Sequence, residues 1–159
     1  MAIRDQIYPV YKSRDFAACN RILDTVSPGK DREEWHSITY WRSTILEAEG
    51  HFNDALVVLE HGREGFDCRS LYAFMTTQLL VRLGRTAQAI SVLKSAPIVA
   101  EHERFYGLTL EAAYYLCSLL IGSGQQSPAE ILAIIPDDFI TMDCAKRFVG
   151  KSDLLRRTV

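Results

Sequence analysis

At 159 residues, 48% of them hydrophobic and 24% charged, the chain has the length of one ordinary domain and can bury roughly two-thirds of its unfolded surface. A core of that size needs neither a metal nor disulfides, and a net charge of -2 argues against a dominant nucleic-acid surface. No stretch approaches about 18 uninterrupted apolar residues, so no membrane span is expected.

In chain order, proline and glycine cut the sequence at Pro28-Gly29, Gly62 to Gly65, Pro97, Gly122-Ser123-Gly124 and Pro136-Asp137-Asp138. Between these breaks apolar residues recur at three and four, as in Ile38, Trp41, Ile45 and Leu46, and no segment alternates strictly like a half-buried strand. The pattern predicts helices near 2–12, 15–26, 32–49, 52–65, 69–83, 86–95, 100–121, 127–135 and 143–156. Asp31 with Glu34 reads as a capping box ahead of the third, and Ser127-Pro128 as a cap followed by a first-turn proline ahead of the eighth.

Across this series the stretch 36–62 returns as 70–96 at a constant offset of 34. Gly50 falls on Gly84, Ala55 on Ala89, Leu59 on Leu93 and Leu46 on Leu80. A period of this length marks stacked helical repeats. The order Ser43, Gly50, Phe52, Ala55, Gly62, echoed by Thr77, Gly84, Thr86, Ala89, Ala96 and Pro97, resembles the tetratricopeptide repeat. Weaker echoes flank it. Arg14, Asp15, Phe16 and Cys19 precede it at an interval of 36 with the turn glycine lost, and Gly124, Ala129 and Pro136 follow at an interval of 40.

The resemblance implies an all-α fold, a right-handed superhelix of about four helix-turn-helix units over residues 1–136, strongest at 36–97, with 137–159 as a basic tail or closing helix. It also implies a concave groove lined by the first helix of each unit. The register assigns to that groove Tyr8 and Tyr11, then Tyr40, Trp41 and Thr44, then Phe74, Met75, Gln78 and Arg82, and finally Tyr114 and Tyr115. Such an aromatic lining suits capture of a protein or peptide, because rigid rings give large contact area at little entropic cost. The alternative is that these rings are core, or that a terminal helix fills the groove. Some tetratricopeptide domains clamp a C-terminal carboxylate with basic residues and Asn. Here Tyr40, Thr44, Phe74 and Gln78 stand in those places, so such a clamp is not expected.

Chemistry is harder to find. His36, His51, His61 and His102 form no i, i+4 pair, and Cys19, Cys68, Cys117 and Cys144 form no close pair, so no metal or cofactor is expected. Glu101-His102-Glu103-Arg104 reads as a solvated helix start, and Gly122-Ser123-Gly124 follows a helix where phosphate cradles follow a strand. The charged N-terminus, Arg4 and Asp5, and the scattered thiols fit a cytoplasmic setting. The expectation is a non-enzymatic module for one protein partner, as in small bacterial tetratricopeptide-type secretion chaperones. The competing expectations are a toxin-neutralising immunity protein and a self-associating structural protein, a homodimer included. The tail, with Lys146, Arg147, Lys151, Arg156 and Arg157, reads either as a solvated closing helix or as a peptide that docks through Phe139, Phe148, Leu154 and Leu155.

Overall fold

A computed structural model describes residues 2–26, 32–143 and 145–157. They are mostly helical: α1 (Ile3–Lys12), α2 (Phe16–Thr25), α3 (Arg32–Ala48), α4 (Phe52–His61), α5 (Arg69–Arg82), α6 (Thr86–Ser95), α7 (Ile98–His102), α8 (Tyr106–Gly122), α9 (Ala129–Ile134) and α10 (Lys151–Arg157). A short 3-10 turn, Arg63–Gly65, follows α4, and two strands, β1 (Ile140–Met142) and β2 (Phe148–Gly150), pair antiparallel before α10. None of these helices is long and apolar enough to cross a membrane.

The chain divides into two compact units, Met1–Asp67 and Cys68–Val159. In the first, α1 packs on α2, α3 on α4, and both α1 and α2 on α3. Ile7, Cys19, Leu23, Ile38, Trp41 and Ile45 form its apolar cluster. In the second, α5 packs on α6 and α8 on α9, while α5, α6, α7 and α10 all touch α8. That explains why α8 is apolar almost all round, with Leu110, Ala113, Tyr114, Leu116, Cys117 and Leu120 buried: covered on so many sides, it has little polar face to keep.

Four helical hairpins share one turn. Arg14, Gly50, Gly84 and Gly124 have φ of 61°, 85°, 73° and 72°. In each turn the N–H of the following residue, Asp15, His51, Arg85 or Gln125, reaches back to the carbonyl of Val10, Leu46, Leu80 or Leu120. These are Schellman-type helix ends, which require a left-handed residue and therefore favour glycine. The first turn places an arginine there and bears the strain.

Two predicted helices are corrected. The helix expected over 100–121 is two, α7 and α8, separated at Glu103–Phe105, where Phe105 leaves helical geometry at φ -124°. The helix expected over 143–156 begins only at Lys151, because the preceding residues form the β hairpin. The eighth predicted helix starts at Ala129 with Pro128 as its cap, so Ser127 does not cap it with a side-chain bond. Asp31, half of the expected capping box, and the Pro28-Gly29 break lie outside the described residues.

Candidate functional site

The tail of the second unit folds back onto α8, and the side chains that receive it sit at 111, 115 and 118, spaced four and three apart on one face of that helix. Thr141 bonds the carboxylate of Glu111, Tyr115 donates its hydroxyl to the carbonyl of Met142 at 3.1 Å, and Arg157 donates to Ser118 Oγ at 3.0 Å and to its carbonyl at 3.1 Å. Apolar contacts run alongside: Leu154 is fully buried in the core around α8, and the ring of Phe139 lies 6.1 Å from that of Tyr114.

Two aspartates shape the tail. Asp143 accepts the backbone N–H groups of Ala145 and Arg147, both at 2.9 Å, and grips the Arg147 guanidinium through Nε at 2.9 Å and Nη2 at 2.8 Å. This closes the β1–β2 connection, where Lys146 takes the left-handed position at φ 63°. Asp153 reaches back to the N–H of Gly150 at 2.7 Å, the acidic half of a capping box at the start of α10, and also holds Arg156. Gly150 is required there because a Cβ would come within 2.8 Å of the Phe139 carbonyl oxygen. The Arg147 amide holds the Asp143 carboxyl below its ordinary range, and the Gly150 amide does the same for Asp153, so both are anionic at neutral pH.

Between α8 and this tail opens a cleft of about 640 Å³, the size of a small-ligand or peptide side-chain site. Tyr114, Tyr115, Leu119 and Val149 supply apolar lining, Phe148 stands 77% exposed beside them, and Asp143, Arg147, Asp153, Arg156 and Arg157 are the charged lining residues. The described lining residues include no histidine, cysteine or lysine. Its chemistry is that of a recognition surface, where aromatic faces and planar guanidinium forks can meet carboxylates bidentately. Burial, and then the Asp153 carboxylate, push the Tyr114 phenol above its usual range, so it stays a neutral donor.

The residues assigned to a groove fall into two groups. In the first unit Tyr8, Tyr11 and Tyr40 surround Trp41 with centroid separations of 6.5, 5.6 and 5.5 Å. Trp41 is buried in that unit's core, Tyr11 and Tyr40 are half-buried with phenols pushed up by burial, and Tyr8 is exposed. The hydroxyl of Thr44 donates to the Tyr40 carbonyl at 2.7 Å, a bond within its own helix. In the second unit Phe74 meets Tyr115 edge-on at 5.1 Å, and Tyr115 lies 6.3 Å from Tyr114. Met75, Tyr114 and Tyr115 are buried, Phe74 and Gln78 half-buried, and Arg82 exposed. Tyr114 and Tyr115 alone of this set line the cleft of the second unit.

The reading of Glu101 as part of a solvated helix start is corrected: it lies within α7 and its carboxylate is engaged. Its carboxylate accepts the N–H groups of Arg69 at 2.9 Å and Ser70 at 2.8 Å and the Ser70 hydroxyl at 2.7 Å, and so caps α5 from a distant part of the chain. Burial pushes its pKa up, but the bonds from Ser70 and Arg69 outweigh that and bring it below the usual carboxylate value. Cys68 at the same helix start is pushed up to about 11, chiefly by burial, which makes it a poor nucleophile at neutral pH. Among the described residues Cys19, Cys68 and Cys117 are free and buried, and no cluster of three metal-binding side chains occurs. In comparisons with known proteins, the chain matches no family model, no curated protein and no solved structure.

Proposed function

We propose that this chain is a non-enzymatic protein-interaction module built from tetratricopeptide-like hairpins, which captures one protein or peptide partner, with the cleft of the second unit as a principal contact. The observation that carries this reading is the cleft itself, where two tyrosines and the 77% exposed Phe148 are framed by three arginines. Exposed aromatic rings beside arginine are the residue types that dominate binding energy at interfaces. The shared left-handed turn supports the repeat assignment, and the buried free thiols of Cys19, Cys68 and Cys117 fit a cytoplasmic setting. The aromatic faces of the first helices belong to the same proposal, each within its own unit: Tyr8, Tyr11, Tyr40 and Trp41 in the first, and Phe74, Tyr114 and Tyr115 in the second.

The charged lining favours one reading of the partner over another. A chaperone for an aggregation-prone export substrate calls for a deep apolar groove. A charged, open cleft better suits an immunity protein, which blocks a cognate toxin by matching its surface. Affinity capture with the full chain and with Phe148→Ser tests the interaction reading. The wild type should retain one defined chain from its native organism, and the variant should lose it at an unchanged melting temperature. Equal retention by both would sink the cleft as the contact. Light scattering over a concentration range tests self-association, since a tight dimer would replace the external partner.

A further inference from the structure

The chain is slightly acidic as a whole, yet residues 145–157 carry five cations, Lys146, Arg147, Lys151, Arg156 and Arg157, against the single anion Asp153. Lys151 is engaged by Asp137 at 3.1 Å. Arg147 and Arg156 stand out at the cleft with side chains 76% and 74% exposed, each aimed by one aspartate. Those aspartates are committed: Asp143 to two backbone amides besides its arginine, Asp153 to the Gly150 amide. A guanidinium has five N–H groups in a planar fork, and Asp143 engages only the Nε and one Nη of Arg147. The fork is therefore held in place with donor capacity still directed outward. Phe148, beside Arg147 in sequence, adds an exposed apolar anchor to the same surface.

On the reading that the cleft is a protein contact, we infer that it takes an acidic peptide segment. Two or more carboxylates of that segment sit on Arg147 and Arg156, and an apolar side chain between them rests against Phe148. A nucleic-acid strand is the poorer match, because its uniform line of phosphates would meet the anionic Asp143 and Asp153 as well as the arginines. A segment whose carboxylates alternate with other side chains can keep its charges away from them.

Fluorescence anisotropy with the full chain tests this. The probes are a labelled hexapeptide Glu-Asp-Leu-Phe-Glu-Asp, its amide counterpart Gln-Asn-Leu-Phe-Gln-Asn, and a single-stranded RNA of twelve nucleotides. The acidic peptide should bind saturably, at least about tenfold tighter than the amide peptide, and weaken as salt rises. Arg147→Gln with Arg156→Gln should cost about tenfold or more for the acidic peptide and leave the amide peptide unaffected. Arg156→Gln alone, which spares the Asp143 turn, keeps the test open should the double variant melt early. Equal affinity for the two peptides, tighter binding of the RNA, or no saturable binding of the acidic peptide would each overturn the inference. If both peptides bind equally and Phe148→Ser abolishes both, the acidic preference falls while the interaction reading stands.

Discussion

The hairpins α3/α4 and α5/α6 are 34 residues apart in register and solve one packing problem with different residues. In the first, Gly62 ends the hairpin so close to Thr39 that an added Cβ would overlap the threonine hydroxyl and methyl. In the second, the corresponding residues are Ala96 and Ala73. One pair is glycine with a branched residue, the other two alanines, so the smaller residue at one position goes with the larger one at the other. Complementary changes at paired positions are what a close-packed core demands of a repeat.

The largest expected effect breaks this pair. Gly62→Ala should destabilise the protein by about 3 kcal/mol in chemical unfolding, and adding Thr39→Ala, which recreates the alanine pair of α5/α6, should restore most of that loss. No recovery in the double variant would refute the exchange. Next comes the helix start at α5. Glu101→Ala leaves the first N–H groups of α5 without their acceptor and should cost about 2 kcal/mol, read as an earlier thermal midpoint. Because the folded-state pKa of Glu101 is lowered, its contribution is present above the unfolded value near 4.5 and is lost as pH falls through the folded value. Wild-type stability should therefore drop more steeply below about pH 4.5 than that of the alanine variant.

Smaller effects sharpen the likeness of the turns. Gly50→Ala and Gly84→Ala should each cost about 1–2 kcal/mol, since both force a Cβ into left-handed backbone with no steric contact to add to the penalty. Unequal losses would mean that the two turns differ in more than sequence. Arg14→Gly should do the reverse and stabilise by about 0.5–1 kcal/mol, visible as a higher melting temperature, by relieving the same strain at φ 61°.

Helix placement and turns were legible because their signals are local. Gly50, Gly84 and Gly124 announce left-handed positions, and the three-and-four spacing of apolar residues announces helices. The break between α7 and α8 was not legible, since Glu103-Arg104-Phe105 contains no breaker residue. The β hairpin escaped because strands of three residues are too short for alternation to show, and its turn puts Lys146, not glycine, in the left-handed position. At the cleft, register alone brought Tyr114 and Tyr115 forward. What stands over them, Phe148 and the arginines, depends on a tail that closes back over α8 through contacts 27 to 39 residues apart in sequence. A docking tail was among the sequence alternatives, but local pattern could not tell that Phe139 and Leu154 would be the residues that pack while Phe148 and Leu155 stay exposed.

Glu101 ties the start of α5 to α7. The opening amides of α5 acquire their acceptor from a residue 31 or 32 positions further along, so that turn cannot be completed until the intervening loop has closed. The protection of that turn therefore depends on α7 staying docked, and in hydrogen exchange the amides of Arg69 and Ser70 should open before the interior amides of α5 do.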